Sequence, residues 1–364
     1  MKNISREELK NMLLENVPEQ NSQIWIWGTG NTSQLYQEGL ARLNFFSQGA
    51  IKGYCDNNSI NWGKRFNDKP IISPDELKKK DDSIVLICSP TPTTIREIQS
   101  QLNEMGMKNY PIETAILKWN RADVLEAYDA LGDEHSRMIY ANLVYARLYG
   151  NYPEVGTWSD NQYFAWNSFT TKDIGDVFLD CGAYVGDTVE KYIWNREGVF
   201  KKIIAFEPDK KNYFAMKNRV NRLKAEWNLE SDMIEILPVG VGEKSILAKF
   251  DRNEANHGLG SKFINIDAEN VEECQVVAID EVVDEKCTFI KADIESFEYK
   301  MLLGAKKRIR EWKPALAIAI YHNAIDFFSI ILLVKELVPE YKLAVRHHSN
   351  TLAETVLYAW IEEI

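Results

Sequence analysis

The stretch Val177-Phe178-Leu179-Asp180-Cys181-Gly182-Ala183-Tyr184-Val185-Gly186-Asp187-Thr188 constrains this chain more than any other. A short apolar run ends in an acid, and a glycine-spaced turn then opens onto a helical segment. Such a turn lets the backbone approach a nucleotide-like ligand without side chains in the way. Downstream, Lys202-Ile203-Ile204-Ala205-Phe206-Glu207-Pro208 reads as a second buried strand that also ends in an acid. Glu207 follows Gly186 by 21 residues, close to the ~20 expected between a glycine loop and a ribose-binding acid.

The chemistry of the loop separates two classes of cofactor. A dinucleotide needs its pyrophosphate held by bare backbone N–H groups at a helix N-terminus, which favours a full Gly-x-Gly-x-x-Gly. S-adenosylmethionine has no phosphate and carries a sulfonium, an ammonium and a carboxylate, so acids beside the loop are useful. Asp180 and Asp187 bracket the turn and would repel a pyrophosphate. Taken alone, the loop also fits an ordinary strand–turn–helix. With Glu207 at the next strand tip, it is expected to hold S-adenosylmethionine.

A length of 364 residues suggests two or three domains at ~150 residues each. The formal net charge of −11, without a dense Lys/Arg stripe, argues against nucleic acid as the main partner. The most apolar run, Ala324 to Val334, contains Asp326 and is too short to span a bilayer. Residues 1–20 have no signal-peptide core, and the five scattered cysteines form no close pair. A cytoplasmic protein with reduced thiols and no membrane insertion is expected. Self-association into a homo-oligomer stays open.

Three regions follow from the pattern: a Rossmann-like unit over 1–112, a helical connector over 113–159, and a larger α/β unit over 160–364. In the first, strands are predicted at 24–27, 50–54, 84–88 and 109–112, with helices after Gly30 and over 93–105. Its Gly28-x-Gly30 turn, with Asp56 after the second strand, resembles a dinucleotide or nucleotide-sugar site. A purely structural or substrate-presenting domain fits it as well. In the connector, Val124, Leu125, Tyr128 and Leu131, then Met138, Ile139, Leu143 and Ala146, recur at helical spacing, ending near Asn151 to Gly156. In the last unit, strands are predicted at 177–180, 202–206, 234–239, 288–292, 315–321, 341–346 and 355–361, with shorter candidates at 246–250 and 274–279. Between the last two, residues 347–354 leave no room for a crossover helix, so those strands must be antiparallel. A mostly parallel sheet closed by an antiparallel hairpin is a class I methyltransferase architecture.

The segment from about Asp160 to Trp360 resembles the FkbM family of S-adenosylmethionine-dependent methyltransferases. The matching pieces are Gln162-Tyr163-Phe164, the Asp180-to-Thr188 loop, Ala205-Phe206-Glu207-Pro208-Asp209 and Ile290-Lys291-Ala292-Asp293-Ile294-Glu295 with Glu298. Ala305, Lys313-Pro314, Tyr321-His322, Arg346-His347-His348-Ser349 and Glu354-to-Ala359 follow in order. The resemblance implies that Asp180, Gly182, Ala183, Gly186, Asp187 and Thr188 shape the cofactor pocket, that Tyr163 and Phe164 adjoin it, and that Glu207 accepts both ribose hydroxyls. Ser296-Phe297 stands where the family pattern has Gly-Ala, a change expected to reshape the substrate mouth.

A hydroxyl acceptor must lose its proton during methyl transfer, a service worth ~10²–10⁴ in rate. Asp293, Glu295, Tyr321 and His322 fall at carboxyl ends of predicted strands, where an open α/β sheet places its reacting groups. His322 is the first candidate base, because an ordinary imidazole titrates near neutrality. Asp293 and Glu295 are expected to orient it, act as base, hold a divalent metal, or cap the following helix, as Glu298 also would. His257 belongs to a loop that either covers the acceptor or is solvated. Arg346 and His347 either touch an anionic or sugar acceptor or lie on the surface. The expected activity is O-methylation of a small-molecule acceptor such as a sugar, glycoconjugate or nucleotide-sugar. N- or phosphoryl-O-methylation is the alternative enzyme reading, and a non-catalytic two-module nucleotide-binding or assembly protein the alternative outside enzymes.

Overall fold

The computed structural model describes residues 2–18, 23–43, 50–89, 91–150, 161–166, 173–251, 262–264 and 272–362. The first sheet contains β1 (Ile24–Trp27), β2 (Ile51–Cys55), β3 (Arg65–Phe66), β4 (Lys69–Ile72), β5 (Ile84–Ile87) and β6 (Lys108–Pro111), in spatial order β3-β4-β2-β1-β5-β6. All its pairs are parallel except β3–β4. That small hairpin is not among the strands expected from the sequence. Its turn residues Asn67 and Asp68 have φ of 48° and 55°, the left-handed pair a tight hairpin turn requires. β1 and β5 lie inside the sheet and are buried throughout, as continuous apolar strands covered on both faces should be.

The second half contains β7 (Val177–Cys181), β8 (Lys202–Phe206), β9 (Ile234–Leu237), β10 (Gly240–Val241), β11 (Ile246–Asp251), β12 (Lys262–Ile264), β13 (Glu272–Val277), β14 (Phe289–Ala292), β15 (Ala315–Ala319), β16 (Lys342–His347) and β17 (Thr355–Trp360). Seven form one sheet in the order β16-β17-β15-β14-β7-β8-β9. The pairs within β15-β14-β7-β8-β9 are parallel, while β17 is antiparallel to both β15 and β16, as the short connection between the last two strands demanded. The short candidates at 246–250 and 274–279 are strands of a separate four-stranded sheet, ordered β10-β13-β11-β12.

Helices Ile112–Trp119, Arg121–Ala130 and Glu134–Tyr149 connect the two halves. Glu134–Tyr149 starts on an Asp133 side-chain cap and stops at Gly150, whose φ of 66° suits a left-handed C-cap. The expected helix end at 151–156 lies outside the described residues. Helix Arg6–Leu14 joins the connector rather than the first sheet: Arg6 forks onto Asp129 with two contacts of 2.6 Å. A single apolar cluster runs from Ile24 and Ile26 through Leu117 and Leu143 to Leu179, Ile318 and Phe327.

Helix Asn31–Arg42 of the first half seats directly on the loop after β15. Arg42 reaches the buried Asp326 at 2.5 Å, and the Ala324 N–H donates to the Tyr36 hydroxyl at 3.2 Å. The approach is close: a Cβ added to Gly39 would stand 2.6 Å from Ile325 Cδ1. Among the described residues, no helix is long and apolar enough to cross a membrane.

Candidate functional site

Strand order reverses between β14 and β7, so the connections leaving their carboxyl ends diverge and open a crevice there. Cys181 is registered with Ala292, which brings Gly182 and Asp293 together. Gly182 has a φ of 79°, and a Cβ there would stand 2.1 Å from the Asp293 carbonyl oxygen and 2.8 Å from Ile294 Cγ2. Neither the conformation nor the space admits a side chain. Gly182→Ala is expected to lose ~2–4 kcal/mol of stability from backbone strain plus overpacking. A denaturant midpoint equal to wild type would refute this.

The same register pairs Asp180 with Lys291, both wholly buried, with Nζ 3.0 Å from the carboxylate. Lys291 also donates to the carbonyls of Gly182 at 2.7 Å and Cys181 at 3.3 Å. Burial opposes its charge, but Asp180 and Asp293 hold the ammonium above its ordinary range. The loop is thus tied from beneath. At its side, the amides of Gly182 and Ala183 donate to the Phe206 carbonyl at 3.1 and 3.0 Å.

Glu207, just beyond β8, turns its carboxyl toward the loop. It accepts from the Tyr184 amide at 2.8 Å and from the Asp209 amide at 2.8 Å. Burial raises its pKa to about 7 even though those amides pull it down. Gly186, with a φ of 80°, begins helix Asp187–Arg196, and Asp187 and Thr188 occupy its first two positions. The carboxylate can accept further hydrogen bonds, because two amides use only part of its capacity.

Across the crevice, one dense cluster surrounds Asp293. Its carboxylate accepts from Tyr163 at 2.5 Å and from Tyr321 at 3.1 and 3.2 Å. His322 lies with Nε2 3.3 Å from Asp293 and 3.6 Å from Glu295, and with Nδ1 3.3 Å from Glu298. Its side chain is 3% exposed, and neither ring nitrogen attains hydrogen-bond geometry, so these are charge contacts. Burial would lower the imidazole pKa; the charges of Glu298 and Glu295 override it and raise the group well above its ordinary range. Burial likewise opposes ionisation of Asp293, yet His322, Lys291 and the Tyr163 hydroxyl hold its carboxyl well below the usual range. The expectation of a neutral imidazole base is therefore corrected: three surrounding carboxylates keep His322 protonated. Glu298 opens helix Glu298–Gly304 and accepts from the Ile294 amide at 2.7 Å, so it both caps the turn and faces the imidazole. Asp293, Glu298 and His322 place three atoms within 4.8 Å of one another that would suit a metal ion only if the imidazole gave up its proton.

The structure therefore gathers Asp293, Glu295, Tyr321, His322 and Tyr163 in one place, with the glycine loop and Glu207 opposite. Three other expected residues lie elsewhere. Phe164 is 1% exposed and packs among Phe178, Tyr192 and Phe289, so it belongs to the core and not to a ligand surface. Arg346 donates to Ser136 at 2.7 Å and stacks over Trp166, which fastens β16 to the connector. His347 is buried against Thr355 at 2.8 Å, and burial lowers its pKa to about 4. Both side chains are engaged in contacts within the protein, Arg346 half-buried and His347 buried. His257 lies outside the described residues. Ser296 does not shape an open mouth: it is 5% exposed, has a φ of 73°, and receives a 3.1 Å hydrogen bond from Asn323.

A cavity of about 750 Å³ opens beside this cluster, between the two halves of the chain. Glu295, Tyr321 and His322 line it from the second half, Tyr36 and Arg96 from the first, and Arg147 from the connector. Arg147 is anchored on Glu113 at 2.8 Å and reaches the Tyr321 carbonyl at 3.4 Å. Sequence reading gave no role to Lys291, Asn323 or Arg147. Lys291 was legible in principle, as a lysine inside an apolar strand whose neighbour carries an acid.

Residues 180–348 match the methyltransferase FkbM domain, a span that holds the glycine loop, Glu207, Asp293, Glu295, Tyr321 and His322. This part of the chain is an FkbM methyltransferase domain. Residues 20–113 match a family described as C2185-like, N-terminal. The whole architecture recurs in the crystal structure of methyltransferase FkbM from Methylobacillus flagellatus KT, with a TM-score of 0.61 and 20% identity over 99% of this chain and 100% of that one. An rRNA methylase from Streptococcus thermophilus shares 16% identity over 54% of this chain and 93% of its own, with a TM-score of 0.33. A SAM-dependent methyltransferase from Aquifex aeolicus shares 14% identity over 54% of this chain and 87% of its own, with a TM-score of 0.32. These two low similarities add nothing to the FkbM assignment. No curated protein matches the chain.

Proposed function

We propose that this FkbM methyltransferase uses S-adenosylmethionine to methylate a hydroxyl group of a small acceptor, with a sugar as the favoured class. The proposal divides the chain into a Rossmann-like domain over 1–112, a connector over 113–159 and the methyltransferase domain over 160–364. Its main support is the juxtaposition of a diol-accepting carboxylate at Glu207 with the acid–imidazole cluster across the same crevice. When bound, S-adenosylmethionine would supply a methyl group on a sulfonium that departs as a neutral thioether. The residues present fit that molecule. Glu207 is a buried carboxyl already oriented by two amides, and the acids near the loop suit a cation and would oppose a pyrophosphate.

On the acceptor side, Glu295 is proposed to take the hydroxyl proton. It lines the cavity and its side chain is 26% exposed, whereas Asp293 is committed to Tyr163, Tyr321 and His322. His322, as imidazolium, holds the two carboxylates apart in fixed positions, and Tyr321 orients Asp293. Positioning of this kind supplies much of the barrier reduction in a displacement at carbon. A sugar suits a cavity whose walls mix apolar surface with several hydrogen-bonding groups.

The raised Glu207 pKa makes cofactor affinity depend on pH. In the empty folded protein the neutral form is favoured up to about pH 7, against an ordinary value of 4.5. The folded protein thus binds more protons than the unfolded chain in that window, and this group's contribution to stability falls as pH rises through it. Two ribose hydroxyls donating to the carboxylate favour its ionised form. S-adenosylhomocysteine affinity is therefore expected to rise with pH up to about 7, by at most ~10-fold per unit, and then level off. Calorimetry across pH 5.5–8.5 reads this directly. Glu207→Gln should weaken binding and flatten the profile; an unchanged profile in that variant would remove Glu207 from the ribose site.

A further inference from the structure

The cavity beside His322 does not end at the methyltransferase domain. It adjoins a second cavity of about 670 Å³ at the carboxyl end of the first sheet. Thr32 and Ser89 line both, so the two spaces meet there. Helix Pro92–Glu104 runs along the junction, with Arg96 and Gln99 turned to the larger cavity and Glu97 and Gln101 to the smaller.

Resting on the reading that a hydroxyl beside Glu295 is methylated, we propose that the acceptor is a nucleoside diphosphate-linked sugar spanning both cavities. The nucleoside occupies the smaller cavity, the diphosphate lies at Thr32, Ser89 and Arg96, and the sugar extends toward Glu295 and His322.

Each part rests on a separate observation. In the smaller cavity Asp56 follows β2, and its carboxylate is oriented by the Thr29 hydroxyl, by Asn61 at 3.3 Å and by the Asn58 amide at 2.8 Å. Such an acid keeps acceptor capacity for ribose hydroxyls. The two glycines of the adjacent turn differ in purpose. A Cβ on Gly28 would strike the Cys88 carbonyl at 2.6 Å, whereas one on Gly30 would meet nothing within 4 Å. Gly30 caps helix Asn31–Arg42 without a side-chain hydrogen bond, so the first amides of that helix lack a side-chain acceptor from their cap. At the junction, Arg96 is exposed and forms no ion pair among the described residues, which leaves a forked cation available for phosphate oxygens. In the larger cavity, the buried Nε of Arg147 lacks a hydrogen-bond partner among the described residues. Buried donors facing a cavity are costly unless a ligand satisfies them, and sugar hydroxyls would do so. A monosaccharide alone would fill only the larger space.

The test is calorimetric titration of the full chain with UDP, GDP, CDP, ADP and dTDP in turn, with S-adenosylhomocysteine as a parallel ligand. One nucleoside diphosphate is expected to bind at a single site. Arg96→Ala should weaken it about tenfold or more, as loss of a charged hydrogen-bonding partner does, and Arg96→Lys should recover part of the loss. S-adenosylhomocysteine affinity should stay within about twofold of wild type in both variants, because Arg96 lies on the acceptor side. If the chain binds S-adenosylhomocysteine but none of the five diphosphates, the two-cavity acceptor is overturned and the methyltransferase reading stands. Equal diphosphate binding by Arg96→Ala overturns the placement of the diphosphate. Loss of S-adenosylhomocysteine binding in well-folded wild type overturns both readings together.

Discussion

Lys291→Met is expected to destabilise the protein by ~3–5 kcal/mol, the cost of removing one partner from a buried ion pair. Asp180 is wholly buried, and its oxygens have no hydrogen-bond partner among the described residues, so the ammonium 3.0 Å away is what stabilises its ionised form. Burial already pushes the Asp180 carboxyl up, and without Lys291 it would take a proton or the strands would part. The variant also loses the tie to the Gly182 carbonyl, so the glycine loop should loosen along with the sheet. Urea denaturation of the variant measures the first effect. Adding Asp180→Leu should restore much of the stability, since an apolar pair removes the stranded charge. A single-variant loss below about 1 kcal/mol would show that the pair contributes little.

Glu295→Gln is expected to lower kcat by ~10²–10⁴, the usual contribution of a positioned proton acceptor. The amide keeps the size of the side chain and its place beside His322 but cannot take the acceptor proton. Cofactor affinity should not move, because the glycine loop and Glu207 lie across the crevice. Turnover is read as S-adenosylhomocysteine released with a methylated acceptor, and binding is read by calorimetry. A kcat within threefold of wild type would exclude Glu295 as the proton acceptor and turn attention to Asp293. Loss of S-adenosylhomocysteine binding in this variant would instead mean that Glu295 supports the cofactor side.

Local pattern carried the sheet order a long way. The apolar runs located β7, β8, β14 and β15, and the seven residues between β16 and β17 forced their antiparallel pairing. The β3–β4 hairpin escaped notice because Arg65-Phe66 is too short to show a period, and Pro70 weakens the look of a strand. β11 and β13 were visible as strands, but nothing local assigns them to a sheet of their own. Among site residues, those at strand tips were legible because an open α/β fold puts chemistry there. Phe164, Arg346 and His347 misled because side-chain type alone does not report depth. An arginine and a histidine near a turn are usually exposed, and here the connector helix and β17 cover them. The protonation of His322 depends on Glu298 arriving from a different element, which spacing along the chain does not disclose.

The seam where Gly39 meets Ile325 has a bearing on the ancestry of such chains. A methyl group added at residue 39 would stand 2.6 Å from Ile325 Cδ1 and force that side chain to shift, and the loop that holds Ile325 also carries Tyr321 and His322. Recombination that joined this methyltransferase half to a different leading module would put a misfit directly behind those reacting residues. A bulkier residue at position 39 would need a shifted or smaller side chain at 325, so a change on one half bears on the other. Exchange of either half would therefore have to be accommodated at this seam, although the two halves match separate families.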